Sequence, residues 1–217
     1  NIDLENFHYP PKNPAALARV ICDVQAALRA KGMRLHSQDM PLIPPWHPDF
    51  NISALSQCMD FVLPMAYCNL QSTTVAGPTI RLDVLQDLFL RHTYIYKGKP
   101  IATPVWEIQP EKIVLGLPFF GNNFECNNTA PVPFPVHPPG GGPAPICELT
   151  RPSDHQMLDH FASMQIYNSE TVTSGPGIGF DAVKASAWFE YTNKTTHRRH
   201  QVWFEDPRSV RAKSEFA

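Results

Sequence analysis

The first five residues, Asn1-Ile2-Asp3-Leu4-Glu5, alternate polar and apolar, which is the period of a β-strand. On a strand, Asn1, Asp3 and Glu5 share one face, with Asp3 and Glu5 roughly 6–7 Å apart as next neighbours. Two carboxylates that close cannot both ionise cheaply, so one pKa is expected to rise. A protonated carboxylic acid beside an ionised one suits cleavage of a glycosidic bond, because the leaving oxygen must receive a proton near neutral pH. Ordinary acids at a surface strand end would look the same, and the rest of the chain has to decide between the two.

The 217 residues are enough for one domain with a substantial core. With 18 basic and 20 acidic residues the net charge is −2, so no long-range field favours nucleic acid or an anionic membrane. No apolar run reaches the ~20 residues of a membrane span. The chain does not open on methionine, so nothing about a leader sequence follows from it. The 23 prolines, with glycine and asparagine, cluster between periodic segments, which implies long ordered loops. Five cysteines (Cys22, Cys58, Cys68, Cys126, Cys147) show no Cys-x-x-Cys or His-spaced cluster, so no metal or other cofactor is expected. Cys126 and Cys147 bracket a Pro/Gly-rich loop that a disulfide would restrain. Three glycosylation sequons, Asn51-Ile-Ser, Asn127-Asn-Thr and Asn193-Lys-Thr, join that bracket in favouring a secretory or lysosomal route.

The elements that must position these residues follow in order. Asn13-Pro14 predicts an N-cap and first-turn proline, with Leu17, Val20, Ile21, Val24 and Leu28 at helical spacing and Gly32 as the stop. A strand is expected within 33–45, centred on Met40–Pro44, followed by a short connection over Phe50–Asp60. The apolar run Phe61–Tyr67 suits a strand buried on both faces, as in a parallel sheet. Thr79–Arg91 predicts a helix with Ile80, Val84 and Leu88 on one stripe, and Lys112–Pro118 another buried strand ending in Phe119-Phe120-Gly121. This alternation is that of an α/β fold with right-handed crossovers. Asn122–Pro145 reads as a loop. Ser153-Asp-His-Gln156 resembles a capping box opening a helix through Tyr167, with Met157, Phe161 and Met164 inward. Trp188–Tyr191 and Gln201–Phe204 look like paired strands around a basic turn, and Asp206-Pro207 starts a last helix. The His197–His200 run is expected to be a solvated hairpin tip rather than a nucleic-acid patch.

Four segments then line up with one family. Asn1–Glu5 resembles the end of the Asp-Gly-x-Asp/Asn-x-Asp-x-Glu signature of glycoside hydrolase family 18, the chitinase family. Asp60-Phe-Val-Leu-Pro-Met-Ala-Tyr67 resembles its Asp-Phe-x-x-x-Met-x-Tyr strand, and Lys112–Gly121 its Lys-Leu-Val-x-Gly-x-Pro-x-Tyr-Gly strand. His200-Gln-Val-Trp-Phe-Glu-Asp-Pro-Arg-Ser209 resembles a His-Gln-Val-Trp-Tyr-Asp-Asn-Pro-x-Ser segment of the family's lysosomal chitobiase branch. The resemblance implies a (β/α)8 TIM barrel with its site at the C-terminal strand ends. Residues 1–5 would end strand four, 33–45 hold strand five, 60–67 be strand six and 112–118 strand seven. Residues 122–200 would form a small α+β insertion between strand seven and its helix. Residues 1–217 would thus be a partial catalytic domain. A half barrel exposes two sheet edges, so the expectation is a piece of a longer protein that acts as a monomer when complete.

By the same resemblance the substrate is a chitooligosaccharide or the chitobiose core of an N-glycan, cleaved with the substrate's own N-acetyl oxygen as nucleophile. Glu5 would be the general acid and Asp3 would orient the acetamido group, with Asn1 hydrogen-bonded to Asp3. Tyr67 would donate its hydroxyl to the acetamido oxygen. Met65 would line the sugar pocket, and Phe120 and Trp203 are aromatic candidates for stacking on sugar. Two positions depart from the family. Cys68 stands where an aspartate normally contacts the sugar, leaving Asn69 as a partial substitute, and Phe120 stands where tyrosine is common. Weakened or altered sugar binding is expected, and a lectin-like protein without turnover is the rival outcome.

Overall fold

The computed structural model describes residues 13–33, 37–41, 51–67, 74–92, 94–96, 99–101, 108–127, 142–149, 155–172 and 177–217. Two compact units divide the chain, one of residues 1–67 and 84–117, the other of 68–83 and 118–217.

In the first unit, helix α1 (Pro14–Ala30) begins where the sequence places it. The Asn13 side chain accepts a hydrogen bond from the Ala16 N–H at 3.0 Å, and the chain leaves the helix through Gly32 at φ +84°, a conformation that favours glycine. Its buried stripe is Ala18, Ile21 and Gln25, while Val20 and Val24 are exposed. That departs from the predicted face. A disulfide joins Cys22 to Cys58 with Cα atoms 5.5 Å apart, so the face bearing Cys22 must turn inward. Its partner lies on α2 (Ile52–Cys58), a helix where only a connection was expected. Asn51 caps it by accepting from the Ala54 N–H at 3.0 Å, and Leu55 and Met59 are buried. Propensity over seven residues is weak, and the covalent tie to α1 and the buried Leu55 offset it.

Strand β1 (Ser37–Pro41) pairs in parallel with β2 (Phe61–Met65), Ser37 opposite Phe61 and Pro41 opposite Met65. The strand expected in 33–45 therefore sits at its earlier half; residues 42–50 lie outside the described residues. On the other edge of β2, the predicted strand over 112–118 opens with a 3₁₀ turn (Pro110–Lys112) and then runs parallel. Val114 donates to the Val62 carbonyl at 2.9 Å and Gly116 to that of Pro64 at 3.0 Å. Helix α3 (Leu82–Phe89) is shorter than predicted and buries Leu85 and Leu88, with Val84 half-buried. Strands β3 (Tyr94–Tyr96) and β4 (Lys99–Ile101) pair antiparallel.

The second unit is an antiparallel sheet. It is built from β5 (Phe120–Glu125), β6 (His155–Asp159), β7 (Thr171–Val172), β8 (Gly179–Asp181), β9 (Ser186–Thr192) and β10 (Arg199–Phe204). The order is β6-β5-β10-β9-β7, with β8 also on β9. The β9–β10 hairpin is as predicted. Two expectations are corrected. Residues 122–125 are strand rather than loop, because β5 is held between β10 and β6; ladder bonds on both edges override the poor strand propensity of the two asparagines. The predicted helix over 153–167 is strand β6 followed by α4 (His160–Ser169), capped by Asp159 accepting from the Ala162 N–H. Ser153 and Asp154 lie outside the described residues. With the first half on a period of two, Met157 and Phe161 are exposed, and only Met164 packs inward.

Both faces of the β9–β10 pair are covered. Ala187, Phe189, Tyr191, Val202 and Phe204 form one cluster with Met164, Ile166 and Tyr167 of α4. Trp188, Trp203, Phe124, Leu149 and the Cys126–Cys147 pair form the other. That disulfide is the one the cysteine bracket implied; closing a loop of this length is worth about 3 kcal/mol in the chain-entropy view. Helix α5 (Pro207–Phe216) carries a reciprocal capping box between Asp206 and Ser209. Its Lys213 is fully buried, paired with Glu205 and bonded to the Ser186 hydroxyl at 3.1 Å.

Candidate active site

Parallel pairing aligns the carboxyl ends of the strands in the first unit, so Pro41, Met65 and Gly116 end side by side. Beyond β2 the chain continues extended, and the Ala66 N–H donates to the Gly116 carbonyl at 2.9 Å. A side chain at Gly116 would crowd the Pro64 carbonyl, with a Cβ only 3.3 Å away. A small residue here therefore lets the two strands approach. Alternation along β2 buries Val62, Pro64 and Ala66 on one face and leaves Leu63, Met65 and Tyr67 half-buried on the other. Two-sided burial was expected from the apolar run. Apolarity alone does not separate a core-facing position from a ligand-facing one, since pockets are themselves mostly apolar. Met65 and Tyr67, two residues apart, project to one side at the end of the strand.

Of the predicted site residues in the first unit, Met65 and Tyr67 lie within the described residues, two apart at the carboxyl end of β2. Asn1, Asp3, Glu5 and Asn69 lie outside the described residues, as does Cys68. Phe120 opens β5 in the second unit and is half-buried. Trp203 is 1% exposed. Its indole N–H donates to Gln201 Oε1 at 2.7 Å, Trp188 lies against it at 6.4 Å between ring centroids, and the Lys184 ammonium sits 4.5 Å from its centre. Those contacts cover the ring that a sugar would need.

A buried polar network, not expected from the sequence, lies on the same face as Trp203. Glu190, fully buried, pairs with the Arg199 guanidinium and accepts from Gln201 Nε2 at 2.8 Å. Gln201 also donates to the Pro145 carbonyl at 2.9 Å, and Arg199 donates to that of Ile146 at 3.4 Å. These side chains thereby hold the 142–149 segment against the sheet. Arg199 was expected at a solvated tip, and only His197 and Arg198 of that run are exposed. The signal was available: Arg199, Gln201 and Trp203 alternate along one strand, so a buried Trp203 places Arg199 on the buried face.

On the opposite face His200 stacks on Tyr191 at 4.9 Å, and Asn123 bridges them, donating to Tyr191 Oη at 3.0 Å and lying 3.3 Å from His200 Nδ1. Burial pushes the His200 pKa below its ordinary 6.5, a pull that Glu125 and Glu170 oppose and Arg198 reinforces. Because the unfolded chain then binds the proton first, the stabilisation is present above pH 6.5 and is lost as pH falls through the lower folded value. The urea midpoint is expected to drop between about pH 7 and about pH 5, and His200→Gln is expected to flatten that drop. An unchanged slope in the variant would show that other groups carry it.

Among the described residues no group of His, Cys, Asp and Glu could hold a metal ion, and no helix is long and apolar enough to cross a membrane.

No protein-family model matches the chain. Over 178 residues it is 24% identical to di-N-acetylchitobiase of Rattus norvegicus, an alignment covering 77% of this chain and 41% of that protein. Its fold matches a chitinase from Chromobacterium violaceum with a TM-score of 0.64 and 20% identity, over 94% of this chain and 52% of that one. The chain resembles the chitinase family in sequence and in fold. A chitinase-like agglutinin from Robinia pseudoacacia matches at a TM-score of 0.61 and 17% identity, over 99% of this chain and 57% of that one. The chitinase-like chain thus spans about two fifths of the length of the curated relative and about half that of the solved structures.

Proposed function

We propose that the chain carries part of the catalytic domain of a β-1,4 N-acetylglucosaminide hydrolase. It would cover strands four to seven of a (β/α)8 barrel, with residues 122–200 as the insertion after strand seven. The observation that carries this reading is that Met65 and Tyr67, both half-buried, stand at the carboxyl end of a parallel strand, where barrel enzymes keep their chemistry. The substrate is a chitooligosaccharide or the chitobiose core of an N-glycan. The similarity to di-N-acetylchitobiase supports that class.

In this scheme Glu5 protonates the glycosidic oxygen as the acetamido oxygen attacks the anomeric carbon. The C–O bond to the leaving sugar breaks and an oxazolinium ring forms. Glu5, now a carboxylate, takes a proton from the water that opens the ring. Asp3 orients the acetamido group and offsets the positive charge of the ring, with Asn1 fixing Asp3. The Tyr67 hydroxyl donates to the acetamido oxygen and holds it under the anomeric carbon. Met65 gives apolar contact, and Asn69 supplies an acceptor next in sequence to Cys68. The two disulfides support a secreted or lysosomal location.

A second reading, a sugar-binding protein without turnover, draws on Cys68 in the place of a charged acceptor and on the similarity to an agglutinin. A fluorogenic chitobioside separates the two. The hydrolase reading expects cleavage by the natural full-length chain, a loss of about a hundredfold or more in kcat for Glu5→Gln, and a smaller loss for Tyr67→Phe. Chitooligosaccharide binding with no cleavage would establish the second reading. Cleavage at an unchanged rate in Glu5→Gln would refute the assigned roles.

A further inference from the structure

We infer that Asn193, on the turn between β9 and β10, is an N-glycosylation site. Of the three sequons, this one sits on an exposed hairpin turn, with Asn193 itself half-buried. The turn is closed by Asn193 itself. Its backbone N–H donates to the Arg198 carbonyl at 2.9 Å, and its carbonyl accepts from the His197 N–H at 2.8 Å. The side-chain Oδ1 accepts from the N–H groups of Thr195 and Thr196, each at 2.9 Å. The turn thus takes up the carboxamide oxygen and leaves the Nδ2–H donors without a hydrogen bond to any described residue. The five residues that follow, Lys194 to Arg198, are all exposed, which leaves room for a sugar. The hydroxyl residue of the sequon, Thr195, engages the turn only through its backbone N–H.

Of the other two sequons, one opens a helix packed on α1 and the other runs on into residues outside the described ones. Asn51 caps α2 and is followed by Ala54, whose carbonyl lies 3.9 Å from the Cys22 sulfur in the α1–α2 packing, and by the buried Leu55. Asn127 is exposed and directly follows the disulfide-bonded Cys126, with its backbone N–H donating to the Glu148 carbonyl at 2.7 Å. The donor is an oligosaccharide on a polyisoprenyl diphosphate. Nδ2 bonds to the anomeric carbon while the bond from that carbon to the diphosphate oxygen breaks. The diphosphate leaves with the electron pair and the amide gives up one proton. The inference rests on the secretory route proposed above, since disulfide formation and this transfer share a compartment.

The test uses the natural full-length chain secreted from cultured insect cells, digested with peptide N-glycosidase in heavy-oxygen water and mapped by mass spectrometry. The expected result is Asn193 recovered as oxygen-labelled aspartate. Thr195→Ala is expected to abolish the label while leaving the thermal midpoint unchanged, because the turn keeps its backbone bonds. Thr195→Ser is expected to restore the label. A secreted chain with both disulfides formed and Asn193 unmodified would overturn the inference without touching the hydrolase reading, as would labelling that persists in Thr195→Ala.

Discussion

Glu190→Ala is expected to destabilise the second unit by about 3–5 kcal/mol, the cost of breaking a buried ion pair from one side. Glu190 is fully buried and Arg199 nearly so. Removing the carboxylate takes a counter-charge from the buried guanidinium, which keeps its bond to the Ile146 carbonyl, and takes one of two acceptors from Gln201 Nε2. The loss should spread along the strand, because Gln201 in turn holds the Trp203 indole. Replacing both members, Glu190→Leu with Arg199→Met, is expected to recover much of the loss, since an apolar pair of similar volume leaves no uncompensated charge. A urea melt followed by tryptophan fluorescence reads both. A Glu190→Ala midpoint within error of the parent would mean that the pair contributes nothing net.

Gly121→Ala is expected to be nearly as severe, at about 3 kcal/mol or more, the upper end of what overpacking costs. A Cβ at Gly121 would run into the Trp203 carbonyl and come within 2.7 Å of the Phe204 Cβ. The first obstacle is backbone, which cannot rotate aside, and it belongs to the central strand of the sheet. The β5–β10 ladder would have to open, exposing Phe124 and Trp203, both now buried. Gly77→Ala serves as the control, because nothing lies within 4 Å of its Cβ position. Thermal melts of the two variants should separate cleanly, and equal midpoints would show that the sheet accommodates the added methyl.

How far the fold was legible depended on whether a signal was local. The N-cap at Asn13, the glycine stop at Gly32, the β9–β10 hairpin and the start of the last helix at Asp206-Pro207 all arise within a few residues, and each stands where the sequence placed it. Strand β6 does not: His155–Asp159 carries a helix-like opening and becomes strand because β5 offers a free edge. The face of α1 was legible only in part, since Cys58, 36 residues away, sets its rotation.

The candidate site divides in the same way. The family resemblance and the period of β2 are properties of the sequence, and they suffice to put Met65 and Tyr67 on one side of a strand end. Whether an aromatic residue is available to a sugar is a matter of what covers it. Phe120 and Trp203 read alike along the chain, yet one is half-buried and the other is enclosed by Trp188, Lys184 and Gln201. By itself, then, the sequence determined the α/β alternation, the ends of α1 and the start of α5, the hairpin and the identity of the groups able to do chemistry, because these rest on backbone preferences and short spacings. Only the tertiary structure decided which helix face turns inward, which segments join the sheet and which polar groups are buried as pairs, because each depends on a partner distant in the chain.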